Sequence, residues 1–174
     1  MVAVPKPIKA VKVKKKPKGK SDDRKLIEAI DAVDSTICLL SAGFTCMMCG
    51  GLASQLHHFF SKKSHAAIRF DARNHCPLCY GCHMFRVHSA GDTEGLRDKL
   101  IDKIGDGDFE EIKLQSKSLA ERGLPYLRME LEFKEIALLD FITNMTDTST
   151  LGMLSKAAQE RIVKIQKKFS VGKN

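Results

Sequence analysis

Cysteine and histidine are concentrated in one stretch of this 174-residue chain. Residues 46–88 hold five of the six cysteines and all six histidines. Four of those cysteines form two CxxC pairs, Cys46 with Cys49 and Cys79 with Cys82. Each pair presents two thiolates from a tight turn, and two such pairs suit one tetrahedral zinc ion. The spacing therefore predicts a structural Zn²⁺ site that consists of these four residues.

A further cysteine leaves one alternative open. Cys76 lies three residues before Cys79, so it could replace Cys79 or Cys82 as a ligand. Disulfides are the other use of paired cysteines, but they belong mainly to secreted proteins. The sequence shows no apolar secretion signal and no apolar run near the ~20 residues that span a bilayer. We therefore expect metal binding, a cytoplasmic protein and no membrane partner.

The histidines and one asparagine lie between the cysteine pairs and just after them. The doublet His57-His58 follows the first pair, Asn74 precedes the second, and His83 follows it directly. Hydrolysis of a phosphodiester needs a base for water, a cation to offset negative charge and a fixed geometry. A neutral imidazole can serve as base or as metal ligand. We interpret the stretch as a metal-dependent nuclease site in which adjacent strand residues, His57 and His58, do different jobs.

The positive charge is concentrated at one end of the chain. The net charge is +8, and eight of the 29 basic residues are lysines within residues 1–20, which contain no acid. The remaining 21 basic residues are matched by 21 acidic ones. We expect residues 1–20 to be a disordered arm that contacts DNA through Lys14, Lys15 and Lys16. A merely solubilising end is the alternative.

The cysteine- and histidine-rich stretch predicts four successive elements. Residues 56–60 have the pattern of a short strand, residues 61–73 form a polar and basic loop, and residues 74–78 favour a return strand. A short helix is expected at residues 80–87. This order is typical of a ββα-metal module. The predicted fold class is α+β, with a small zinc-stapled module embedded in a mainly α-helical chain.

Helices are expected on both sides of the module. Ser21 and the acids after it favour a helix that ends near Gly43, with Cys38 buried in it. Asp92 can cap a second helix that ends at Gly105, and a short helical piece surrounds Phe109. A longer helix from Pro125 is expected to bury one set of apolar side chains: Tyr126, Met129, Leu131, Phe133, Ile136, Leu139 and Phe141. An amphipathic stripe at residues 151–169 predicts a last helix.

The motif residues resemble those of HNH endonucleases that carry a four-cysteine zinc. The resemblance covers about a quarter of the chain and rests on LHH, then Asn74, then a CxxCH. It implies that His58 is the general base and that His57 and His83 bind a catalytic Mg²⁺ or Mn²⁺. It also implies that Asn74 positions the loop that carries the base. His83 is therefore counted both as catalytic and as a metal ligand.

A wider set of segments is similar to the NinG (Rap) recombination nucleases of lambdoid phages. These segments are GFTCMMCG, RFDARN at residues 69–74 and GDTEGLRDKLIDKIG at residues 91–105. The resemblance implies a phage enzyme in the host cytoplasm that cuts branched DNA, such as Holliday junctions and D-loops. This family often has asparagine where this chain has His83. Symmetric cutting of a four-way junction would favour a homodimer, with the last helix as its interface.

The predicted organisation is an arm at residues 1–20, an HNH zinc and nuclease domain at 21–110, and a helical region at 111–174. The loop at residues 61–73 is expected to contact DNA through Lys62, Lys63, Arg69 and Arg73. Two other functions stay open: an HNH enzyme that cuts ordinary duplex, and a non-catalytic zinc module. His65, His75 and His88 have no assigned role, although His88 is close enough in sequence to approach the metal.

Overall fold

A computed structural model describes residues 21–120 and 123–170. The chain is mixed helix and sheet, as the α+β prediction required. Its helices are α1 (Asp22–Ser41), α2 (Thr93–Ile104), α3 (Asp106–Gln115), α4 (Leu124–Thr143) and α5 (Lys156–Ser170). Two strands, β1 (Gln55–His58) and β2 (His75–Leu78), form one sheet, and a π-helix follows at Cys82–Ser89. The predicted arm at 1–20 lies outside the described residues.

Helix α1 runs through the centre of the molecule. Asp22 and Asp23 lie in its first turn, where carboxylates interact well with the positive end of the helix dipole. The Ser21 side chain makes no capping hydrogen bond, so the expected cap forms only through its backbone carbonyl. Gly43 follows the helix with φ +53°, the left-handed conformation that reverses the chain toward the first cysteine pair. Cys38 is buried, as predicted.

The sheet is an antiparallel hairpin of four paired positions. Gln55 faces Leu78, Leu56 faces Pro77, His57 faces Cys76, and His58 faces His75. Every residue of β2 is buried, whereas β1 is half-buried. Such short strands need support beyond their own pairing. Contacts with α1 on one side and the two cysteine turns at one end of the hairpin supply it.

The C-terminal helices pack on the same core as the hairpin. Helix α4 packs along α1, and α5 packs against both. The buried stripe of α5 includes Ala158, Ile162 and Ile165, which agrees with core packing for that helix. No helix in the described ranges is long and apolar enough to span a membrane.

The expected buried face of α4 is partly wrong. Met129, Phe133 and Ile136 are 62%, 65% and 49% exposed. Leu127 and Leu138 are the fully buried residues of this helix. Apolar periodicity assumes that charged residues lie on the exposed face of a helix. In α4 the charged residue Lys134 lies on the buried face instead.

The buried charge of α4 pairs with a buried charge of α1. The Lys134 ammonium lies 2.9 Å from one carboxylate oxygen of Asp34 and donates to the Phe70 carbonyl at 2.6 Å. The second carboxylate oxygen of Asp34 has no hydrogen-bond partner in the described part of the chain. Burial raises the pKa of Asp34 to about 6, although Lys134 acts to lower it.

We predict that Asp34 makes stability fall as the pH rises. Because its pKa is raised above the ordinary value of 3.8, the folded state favours the protonated carboxyl. That contribution is fully present below about pH 4 and is lost as the pH passes about 6. Between these values, wild type should lose on the order of 3 kcal/mol relative to Asp34→Asn. Urea unfolding of both proteins at pH 4 to 7 measures the difference, and a constant difference would contradict it.

Candidate metal centres

The four predicted zinc ligands come together in one cluster. The Sγ atoms of Cys46, Cys49, Cys79 and Cys82 all lie within 4.8 Å of one another. The Sγ atoms of Cys49 and Cys79 are 3.8 Å apart. Thiolates 2.3 Å from a tetrahedral zinc would be about 3.8 Å apart, so this separation fits the ion. The cluster could hold a metal such as zinc.

Backbone hydrogen bonds build the two turns of this cluster. The Gly50 N–H donates to the Cys46 carbonyl at 2.8 Å, and the Cys82 N–H points at the Cys79 sulfur at 3.3 Å. Gly50 takes φ +73°, which favours glycine at the tip of the first turn. Burial opposes ionisation of Cys46, but backbone N–H groups, including that of Cys79, lower the pKa of its thiol to about 7. A thiol of this kind deprotonates readily and can ligate a metal.

Cys76 lies outside the cluster. It is fully buried in β2 opposite His57, and the four clustered sulfurs do not include its own. Burial raises the pKa of Cys76 to about 12. The structure therefore favours Cys79 and Cys82 over Cys76 as the second ligand pair.

Three histidines form a second cluster. One ring nitrogen of each of His57, His83 and His88 lies within 4.8 Å of the others. The Nε2 atoms of His83 and His88 are 3.1 Å apart. Nitrogens 2.1 Å from one metal ion are about 3.0 Å apart at a right angle and about 3.4 Å apart at a tetrahedral angle. The separation of His83 and His88 thus fits two ligands of a single ion, and one nitrogen of His57 is near enough to be a third.

The π-helix explains how His88 reaches the cluster. Its backbone hydrogen bonds join residues five apart, so such residues come much nearer to one face than they would on a regular α-helix. His83 and His88 are five apart, and their rings meet with centroids 4.7 Å apart. From the sequence, His88 had no assigned role, since a lone histidine is more often a surface residue than a ligand, although its position five residues after His83 allowed an approach to the metal. The predicted ligands His57 and His83 are both present in the cluster.

Gln55 orients one of these rings. The His83 Nδ1 is hydrogen-bonded to the Gln55 Oε1. This leaves the His83 Nε2 to face the other rings of the cluster, since His88 approaches that nitrogen. Gln55 and His57 lie two residues apart on β1 and share a face of the strand.

His58 is on the opposite side of β1 from this cluster. Its ring packs on His75 with centroids 4.9 Å apart, and its Nε2 lies 3.1 Å from the Arg69 carbonyl oxygen. Burial lowers the pKa of His58 to about 4, and the neighbouring His75 acts in the same direction. His58 is therefore neutral at pH 7. If Nε2–H donates to the carbonyl, Nδ1 carries the free lone pair.

Asn74 ties both ends of the basic loop together. It is fully buried, and its side-chain oxygen accepts from the Phe60 N–H at 2.7 Å. Its amide donates to the carbonyls of Phe60 at 3.1 Å and Ile68 at 3.2 Å. Asn74 thus holds the chain that leaves β1 and the chain that enters β2.

A cleft joins the histidine cluster to His58. It has a volume of about 310 Å³. Its walls consist of Leu56, His57, His58, Ser61, Lys62, His83 and His88. Both residues of the doublet therefore border one space, although their rings leave opposite faces of the strand.

The predicted DNA-contacting residues of the loop have different surroundings. Lys62 borders the cleft and pairs with Asp31, and Lys63 is exposed. The Arg69 guanidinium is bound to Asp31. The fourth residue, Arg73, pairs with three carboxylates, those of Asp71, Asp108 and Glu111. The arm residues Lys14, Lys15 and Lys16 lie outside the described ranges.

We predict that Cys46→Ala loses the metal and destabilises the protein. Removing one of four thiolates breaks a tetrahedral site whose binding free energy contributes to folding. The bound zinc per chain should fall from one to near zero, and the melting temperature should fall with it. Cys76→Ala is the matched control, because it also removes a buried cysteine but leaves the cluster complete. A folded, zinc-free Cys46→Ala protein of unchanged stability would refute the structural role.

We predict that His88→Ala lowers the affinity of the histidine cluster for a divalent ion about tenfold or more, since one of three ligands is removed. Titration calorimetry with Mn²⁺ measures the affinity. His65→Ala is the control, because the His65 ring contacts the Ser116 carbonyl and Phe60 rather than the cluster. Equal Mn²⁺ affinity in both variants would exclude His88 as a ligand.

Comparison of the chain with protein-family models, with curated proteins and with solved structures gives no match. The resemblance to HNH and NinG nucleases therefore rests on the motif residues themselves. The two side-chain clusters and the cleft are the basis for any functional conclusion.

Proposed function

We propose that this chain is a metal-dependent endonuclease of the HNH type that hydrolyses phosphodiester bonds in DNA. The observation that carries the proposal is the cleft, which brings a three-histidine cluster and a neutral, half-buried histidine to one space. A non-catalytic zinc module would need the four cysteines alone. Such a module would not require a second cluster of possible ligands, nor a further histidine that borders the same cleft.

The proposal gives each residue of the cleft a separate role. His58 is the general base and takes the proton of the attacking water on Nδ1, while Nε2 stays bonded to the Arg69 carbonyl. His57, His83 and His88 would hold a divalent cation. When bound, that cation would supply positive charge to offset the negative charge developing on the phosphate and the leaving oxygen. Asn74 keeps the loop, and with it the carbonyl partner of His58, in place.

The donor set bears on which cation binds. Mg²⁺ prefers oxygen ligands, whereas imidazole suits transition metals. Of the two ions predicted from the resemblance, Mn²⁺ therefore fits three histidines better than Mg²⁺ does. The four-cysteine cluster is the structural Zn²⁺ site in this proposal.

Branched DNA is the proposed substrate, in recombination of a phage genome. The support is the similarity of three segments to the NinG nucleases, and one of them, RFDARN, contains Arg69, whose carbonyl contacts His58, and Asn74. Lys62 and exposed Lys63 are the residues of the loop best placed to meet a phosphate. Arg69 and Arg73 are paired with carboxylates, so each would have to break an ion pair before it could bind a phosphate.

We predict that His58→Ala abolishes cleavage and leaves DNA binding and zinc content unchanged. The loss should be at least about a hundredfold in kcat, the usual contribution of a positioned base. The measurement uses a labelled four-way junction with Mn²⁺, together with a gel-shift assay and metal analysis of the same samples. His65→Ala, in the same loop, is the control.

Cleavage by His58→Ala at the wild-type rate would contradict the base assignment. Binding without cleavage by wild type, in Mn²⁺ and in Mg²⁺, would instead favour a non-catalytic zinc module. Equal cleavage of linear duplex and four-way junction would retain the nuclease and remove the branch preference.

We predict that removal of residues 1–20 weakens DNA binding and flattens its salt dependence. The deleted segment contains eight lysines. If all eight neutralise phosphates, the slope of log affinity against log salt decreases in magnitude by up to about 7. Gel shifts at several salt concentrations measure the slope. An unchanged slope would show that the lysines of this segment do not contact DNA.

A further inference from the structure

Asp31 on α1 anchors the loop that faces His58. The Arg69 Nε donates to one oxygen of Asp31 at 2.9 Å, and a terminal guanidinium nitrogen donates to the other. Both side chains are about four-fifths buried. A two-point contact of this kind fixes the orientation of the guanidinium as well as its distance. Lys62 also approaches Asp31, at 3.2 Å.

The main chain of Arg69 is the hydrogen-bond partner of His58. Its carbonyl oxygen lies 3.1 Å from the His58 Nε2 and 3.1 Å from the His75 Nε2. A carbonyl only accepts, so each ring must present N–H at that nitrogen. One carbonyl thus sets the same tautomer in two histidines whose rings are in contact.

The neighbouring carbonyls are held by other groups. Asn74 donates to the Ile68 carbonyl at 3.2 Å, and Lys134 donates to the Phe70 carbonyl at 2.6 Å. Residues 68–70 are therefore fixed on both sides of Arg69. Among the described residues, Asp31 is the acidic partner of the Arg69 side chain itself. Asp31, a carboxylate that does not line the cleft, is thus the anchor of Arg69 through its side chain, beside the two anchors of the neighbouring main chain.

We infer that Asp31 is a positioning residue for His58, acting through Arg69. Asp31 holds the Arg69 side chain, the Arg69 carbonyl accepts from Nε2 of His58, and Nδ1 is left as the nitrogen that accepts a proton. The inference rests on the proposed function for its effect on catalysis. Its structural part, control of the His58 tautomer by Asp31, can be tested without any cleavage assay.

The test compares Asp31→Asn with wild type in the zinc-loaded full chain. Asparagine keeps the size of the side chain but loses the charge and one acceptor of the two-point contact. We expect kcat on a four-way junction with Mn²⁺ to fall about tenfold to a hundredfold, as for loss of other orienting partners, with KM unchanged. Asp31→Glu should recover much of the activity. Asp23→Asn, on the exposed first turn of α1, is the matched control.

Nitrogen-correlated NMR of the imidazole rings supplies the second readout. In wild type, His58 should be in the Nε2–H tautomer, and in Asp31→Asn its ring signals should move toward a mixture of tautomers. The His65 signals should stay unchanged. If Asp31→Asn fails to fold, Arg69→Lys keeps the positive charge, removes the two-point contact and serves the same comparison.

Two results would overturn the inference. One is wild-type kcat and unchanged His58 signals in Asp31→Asn. The other is a fall in kcat for Asp31→Asn while the His58 ring signals stay unchanged, which would show that Asp31 acts by a route other than the tautomer of His58. If wild type cleaves no substrate, the proposed function fails, and the ring signals alone still decide whether Asp31 controls His58.

Discussion

The arrangement depends on one constraint: the two cysteine pairs must be held together across the hairpin. Cys49 and Cys79 are 30 residues apart in sequence, and their sulfurs are 3.8 Å apart in space. Two strands of four residues with a long loop between them would be marginal alone. A metal at the four sulfurs would close that loop in the same way as a covalent cross-link and offset the entropy of ordering it. The second cluster and the cleft exist only while the hairpin is closed.

In the proposed function, the hairpin also separates two chemical roles within two adjacent residues. A strand sends neighbouring side chains to opposite faces, so His57 joins the ring cluster while His58 packs on His75. A metal ligand and a base have different needs. The ligand must converge with other donors, whereas the base must keep one nitrogen free and the other bonded. One dipeptide on one strand can satisfy both because each ring has its own set of partners: His83 and His88 for His57, and Arg69 and His75 for His58.

Much of this site could be predicted from the sequence. The CxxC spacing predicted the four cysteines that come together, and the alternation of side chains along a strand predicted that the two histidines of the doublet separate. The ends of α2 were also predicted correctly. The Asp92 side chain caps its first turn, and Gly105 follows its last residue with a positive φ. These features are local, so composition and spacing over a few residues determine them.

Other features could not be predicted because they depend on partners distant in sequence. His88 joins the cluster only because the backbone after Cys82 is wound as a π-helix, for which the sequence carries no clear signal. Lys134 lies on the buried side of α4, where it pairs with Asp34, a residue 100 positions earlier in the chain. Phe133, which was expected to be buried, is exposed. The sequence predicted Arg69 as a DNA contact, whereas in the structure its side chain is bound to Asp31 on α1. In each case tertiary contact overrides the local pattern.

The central claim is that one hairpin holds two metal centres of different chemistry. Anomalous X-ray diffraction from crystals grown with Mn²⁺, recorded at the zinc and manganese absorption edges, tests it most directly. The account predicts zinc at the four cysteine sulfurs, and manganese bound to His57, His83 and His88 in the cleft that His58 also borders. Zinc at the cysteines with no metal bound to those histidines at saturating Mn²⁺ would contradict it.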